Sequence, residues 1–109
     1  MVGVVGVVGV VMAVLPCRAV QAAKGLETAR SQGCMGCHAL DQKVLGPAFV
    51  DVARRYASDA AAVEKLAQRI AGGSSGVWGA VAMPAQPQLK ADEATSLARW
   101  VMGLDGDKP

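Results

Sequence analysis

The chain has 109 residues, enough for one domain, with 11 Lys/Arg against 9 Asp/Glu and a net charge of +2. The two signs are interspersed, which excludes the basic stripe of a nucleic-acid binder. Aromatic residues make up only 4% of the chain, so something other than rings is expected to fill the middle of so small a fold.

Residues 2–15 are Val, Gly, Met, Ala and Leu without a charge. As a helix this run spans roughly 21 Å, short of the about 30 Å core of a bilayer. Small residues follow at Ala19-Val20-Gln21-Ala22-Ala23 and suit cleavage after Ala22 or Ala23. Residues 1–22 therefore read as a signal peptide without the usual Lys or Arg at its start, and an uncleaved anchor is the alternative. Cys17 follows Pro16, a poor fit to a lipidated cysteine, and is expected to leave with the leader. Residues 23–109 are predicted to form the domain.

A short helix is predicted over 25–32, stopped at Gly33. The motif Cys34-Met35-Gly36-Cys37-His38 comes next. Gly46-Pro47 opens a second helix with Pro47 in its first turn, and Phe49, Val52, Ala53 and Tyr56 give it one apolar face. Ser58 or Asp59 caps a third helix, in which Val63, Leu66, Ala67 and Ile70 repeat that spacing before Gly72-Gly73 ends it. From Gly72 to Leu89 glycines and prolines break the pattern, and a long irregular segment in a small domain usually carries function. The last helix runs from Ala91 to Met102 and turns Leu97, Trp100, Val101 and Leu104 inward. Lys90 is a poor cap for it, so that end is expected to fray.

C-x-x-C-H is the attachment pattern of c-type haem. Two thiols three positions apart reach the two vinyl groups on one porphyrin edge, and the histidine that follows is held beneath the iron. His38 is the only histidine in the chain. A structural zinc site needs a second ligand pair that the sequence lacks, and a redox dithiol belongs in a βαβ setting that is absent here. A disulfide between Cys34 and Cys37 would close too small a loop to stabilise much. Met83, beside Pro84 in the irregular segment, is the candidate second iron ligand. A thioether there raises the potential of haem iron and, by filling the sixth position, favours electron transfer over catalysis.

The runs Gly33–His38, Val44-Leu45-Gly46-Pro47-Ala48-Phe49, Leu66-Ala67-Gln68-Arg69-Ile70 and Gly76-Val77-Trp78-Gly79-Ala80-Val81-Ala82-Met83-Pro84 make residues 24–109 similar to the small bacterial class I c-type cytochromes of the c-551 group. The resemblance implies an all-α cytochrome c fold of four to five short helices around one covalent haem c. It implies thioethers from Cys34 and Cys37, and axial ligation by His38 and Met83. It also implies a hydrogen bond from His38 to the Pro47 carbonyl, and donors to a haem propionate from Trp78 and Arg69. The chain departs from the group in having Thr28 and Ala29 where the first helix often carries an aromatic, which predicts a looser contact with Trp100. Ala80, Ala82 and Ala85 stand where prolines often flank the methionine, and the segment after Pro84 is one residue longer than usual.

The implied protein is a monomeric periplasmic electron carrier, not an enzyme. It would exchange electrons with redox proteins such as a terminal oxidase, a nitrite reductase or a photosynthetic reaction centre. Met35, Gly36 and Ala80–Ala82 are expected at the rim of its docking patch. The alternatives are a haem enzyme or gas sensor with a labile distal ligand, and a dithiol oxidoreductase.

Overall fold

The computed structural model describes residues 2–14 and 16–104; Met1 and Leu15 of the predicted signal segment and residues 105–109 of the predicted domain lie outside the described residues. Four helices make the fold: α1 (Cys17–Ser31), α2 (Phe49–Arg55), α3 (Ala62–Gly72) and α4 (Ala91–Gly103), with a single 3₁₀ turn at Cys34–Gly36. Among the described residues the only β pairing is an isolated antiparallel bridge between Ser74 and Met83.

Helix α1 starts eight residues earlier than its apolar pattern predicts, directly after Pro16. Residues 19–24 are exposed, so no apolar face marks this part; Ala, Gln and Lys form helix by propensity alone. Packing begins at Gly25. A Cβ there would overlap the Trp100 indole, so the missing side chain lets α4 lay its ring against α1. The expected looseness of this contact is thus replaced by a close approach, with Ala29 buried beside it. Gly33 ends the run at φ 80°, a left-handed turn that glycine adopts without penalty.

Helix α2 begins at Phe49, and Pro47 lies before it rather than in its first turn. Phe49, Val52, Ala53 and Tyr56 are all buried, as their spacing predicts. Asp59 accepts from the Ala61 N–H at 2.9 Å and from Lys65 Nζ at 2.6 Å, holding the turn into α3. Neither Ser58 nor Asp59 is the N-cap of α3, which is Ala61 and has no side-chain capping bond.

Helix α4 packs on α1, α2 and α3. Leu97 and Val101 are buried as predicted, and so are Ala94 and Ala98, whose small side chains let the other helices close in. Trp100 and Leu104 are half-buried. The predicted fraying at Lys90 is overturned, because Glu93 Oε1 accepts from the Lys90 N–H at 3.0 Å and satisfies one of the free donors of the first turn. No helix among the described residues is long and apolar enough to cross a membrane.

Candidate haem site

The 3₁₀ turn builds the attachment loop. Left-handed Gly33 reverses the chain out of α1, and the Cys34 carbonyl then accepts from the N–H groups of Cys37 (3.2 Å) and His38 (3.0 Å). Cys34 and Cys37 are half-buried. Burial raises the Cys34 thiol above its ordinary range, a push partly offset by a backbone hydrogen bond.

His38 is buried, at 9% exposure. Its Nδ1 lies 2.7 Å from the Pro47 carbonyl oxygen. A carbonyl only accepts, so Nδ1 carries the proton and Nε2 keeps a free lone pair. The imidazole stacks on Phe49 with ring centres 4.7 Å apart and an interplanar angle of 20°, and Phe49 meets Trp100 edge-on at 5.4 Å. Gly46 also packs against the ring: a Cβ on it would stand 2.6 Å from His38 Cε1. The Gly46 N–H also bonds the Cys37 carbonyl at 2.7 Å. These contacts fix the imidazole in plane, tautomer and position.

The methionine segment hangs from the end of α3. Ser74 and Met83 exchange both backbone hydrogen bonds, at 3.0 and 2.7 Å. Gly73 makes this possible, since a Cβ there would lie 2.9 Å from the Met83 carbonyl and its φ is 82°. Met83 is half-buried. Trp78 is 38% exposed, and the Arg55 guanidinium lies over its ring at 4.4 Å. Arg69 donates to the Tyr56 hydroxyl, with its guanidinium 5.4 Å from the Tyr56 ring centre.

Cys34, Cys37, His38, Pro47, Arg69, Trp78 and Met83 all line one cleft. Its walls include Phe49, Val52, Leu66, Leu97 and Val101, the buried core itself. Among the described residues no three His, Cys, Asp or Glu side chains gather to hold a bare metal ion. One imidazole lone pair, two thiols, one thioether and apolar walls fit a flat organometallic group instead.

Of the predicted docking rim, Gly36 and Ala80–Ala82 are exposed, whereas Met35 packs against the core. Sequence reasoning missed Gly25, Gly46 and Arg55. Gly46 was legible as a helix boundary only, and its contact with the His38 ring has no local signal.

The Cytochrome c family profile matches residues 22–105. Cytochrome c-551 of Pseudomonas aeruginosa is 49% identical over 73 residues, covering 67% of this chain and 69% of that protein. Cytochrome c-552 of Hydrogenobacter thermophilus is 47% identical over 78 residues, covering 72% and 79%. The crystal structure of wild-type Nitrosomonas europaea cytochrome c552 superposes with a TM-score of 0.71 at 40% identity, covering 72% of this chain and 98% of that one. With its all-helical fold and its Cys34/Cys37 attachment pair, the chain belongs to the cytochrome c family, is of the small c-551/c-552 type, and has covalent haem c as its cofactor.

Proposed function

We propose that the protein is a periplasmic one-electron carrier with its haem iron held between His38 Nε2 and the Met83 sulfur. The supporting observation is the convergence of a tautomer-locked imidazole and a tethered methionine on the walls of the same cleft. When bound, haem supplies the Fe(III)/Fe(II) couple, whose potential a methionine ligand raises. The residues of the chain do the rest. Cys34 and Cys37 hold the group through thioethers, while Phe49 and Gly46 keep the His38 ring from turning. The Ser74–Met83 bridge holds the backbone from which the thioether projects. Arg69 and Trp78 are the donors proposed for a propionate.

Residues 1–22 act in this reading as the export signal, which delivers the domain to the compartment where haem is attached. Partners are redox proteins of the membrane or periplasm, for which a terminal oxidase or a nitrite reductase is the proposed class. The exposed Ala80–Ala82 stretch and the near-balance of charges support brief, apolar docking with modest steering.

Visible spectra of the exported holoprotein test the ligation. The ferric form should show the long-wavelength methionine–iron charge-transfer band, and the ferrous form should not bind carbon monoxide. Met83→Ala should keep covalent haem, lose the band and bind carbon monoxide. Retention of the band in that variant removes Met83 as the ligand. Carbon monoxide binding by the unmodified protein would instead favour a sensor or enzyme.

A further inference from the structure

Residues 74–83 form a loop tied at its ends by the Ser74–Met83 bridge. Its middle contains two glycines in left-handed conformations, Gly76 at φ 76° and Gly79 at φ 119°, on either side of Val77-Trp78. Glycine loses more conformational freedom on ordering than any other residue, so this stretch needs fastening from outside. Arg55, the last residue of α2, supplies it. Its Nη1 donates to the Val77 carbonyl at 2.9 Å across 22 residues of sequence, and its guanidinium carbon stands 4.4 Å from the centre of the Trp78 ring. A flat guanidinium makes both contacts at once, whereas an ammonium makes only one well.

We propose that Arg55 is a positioning residue for the axial methionine. By pinning Val77 and Trp78 to α2, it sets how readily the loop carrying Met83 swings away from the iron. Arg55 acts through the loop, and the proposal rests on the reading of Met83 as ligand. Arg55 is exposed, so replacing it removes the fastening without opening the core.

The experiment is a titration of the ferric holoprotein with imidazole, which competes with the thioether for iron, alongside guanidinium unfolding. Arg55→Gln should bind imidazole about tenfold more tightly, equivalent to about 1.4 kcal/mol. Arg55→Lys keeps the charge and one donor, and should fall between, at about threefold. Unchanged imidazole affinity in Arg55→Gln overturns the proposal even if the unfolding midpoint drops, because a contact that only supports the fold moves the midpoint alone. Failure of the Met83 reading shows separately, as a missing methionine–iron band in the unsubstituted protein. Hydrogen exchange at the Trp78 indole N–H then decides on its own: faster exchange in Arg55→Gln sustains the fastening, and unchanged exchange overturns it.

Discussion

Gly46→Ala isolates the contact that holds the His38 imidazole in place. Gly46 is not among the glycines with positive φ, so alanine meets no backbone penalty there and the whole effect is steric. The new methyl carbon would lie 2.6 Å from His38 Cε1, 2.9 Å from Nδ1 and 3.0 Å from Nε2. Carbon atoms sit comfortably about 3.5–4.0 Å apart, so ring and backbone must separate by roughly 1 Å. The ring cannot simply retreat. Phe49 stacks on it at 4.7 Å, and Nδ1 is bonded to Pro47. Overpacking of this kind costs about 1–3 kcal/mol, and a lost hydrogen bond adds about 1 kcal/mol. The sum of about 2–4 kcal/mol is a large share of a net stability of about 5–15 kcal/mol. Guanidinium unfolding of the holoprotein, followed by haem absorbance and circular dichroism, measures it. Gly72→Ala is the control: Gly72 is exposed, has open space around it and ends α3, so alanine should be neutral or stabilising by up to about 1 kcal/mol. Equal losses in the two variants, or a loss below about 0.5 kcal/mol for Gly46→Ala, would refute the steric argument.

Three further substitutions probe the frame around the site. Gly25→Ala pushes a methyl group into the Trp100 indole and should cost about 1–3 kcal/mol; an unchanged unfolding midpoint would mean that α1 and α4 do not pack as described. Glu93→Ala removes the acceptor from the Lys90 N–H and should cost about 1 kcal/mol, with Glu93→Gln keeping most of the stability; amide exchange at the start of α4 reads the difference. Asp59 is held below the usual carboxylate range, first by the hydrogen bond from Lys65 and then by that from the Ala61 N–H. Its folded pKa is lowered, so its stabilisation is present above the unfolded carboxylate pKa and is lost as pH falls through the folded value. Asp59→Asn should therefore flatten the fall of stability on the acid side and leave the neutral region parallel to that of the unsubstituted protein. Identical acid limbs would contradict the linkage.

Legibility in the sequence followed the range of each interaction. The 3.6-residue pattern of Phe49, Val52, Ala53 and Tyr56 is local and appears in the structure as one buried face. The cysteine pair with its histidine is likewise complete within five consecutive residues. Pro47 faces His38 Nδ1 with its carbonyl oxygen, yet its helical role was misplaced, because a proline before a helix and one inside its first turn look alike in sequence. The start of α1 was invisible, since exposed helix has no apolar period. Arg55 carries no signal in the sequence, since its partners Val77 and Trp78 lie more than twenty positions away. Gly25 and Gly46 were missed for a similar reason: their contribution is an absent atom, and only the neighbour across the gap shows why it must be absent.

The cleft and the core are one surface, which makes the cofactor part of the folding problem. Phe49, Val52, Leu66, Leu97 and Val101 are buried on one side and line the cleft on the other. Among the described residues no large side chain is fully buried. Each 100 Å² of apolar surface withdrawn from water is worth about 2.5 kcal/mol, so a few such areas covered by haem equal the whole net stability of a domain this small, about 5–15 kcal/mol. Cys34→Ala/Cys37→Ala, produced without haem, should therefore show no cooperative unfolding transition at room temperature. Either single substitution leaves one thioether to hold the group and should fall between that variant and the holoprotein. A cooperative transition in the double variant at the holoprotein midpoint would show that the helices close their own core, and that the site is carved into a fold that stands without it.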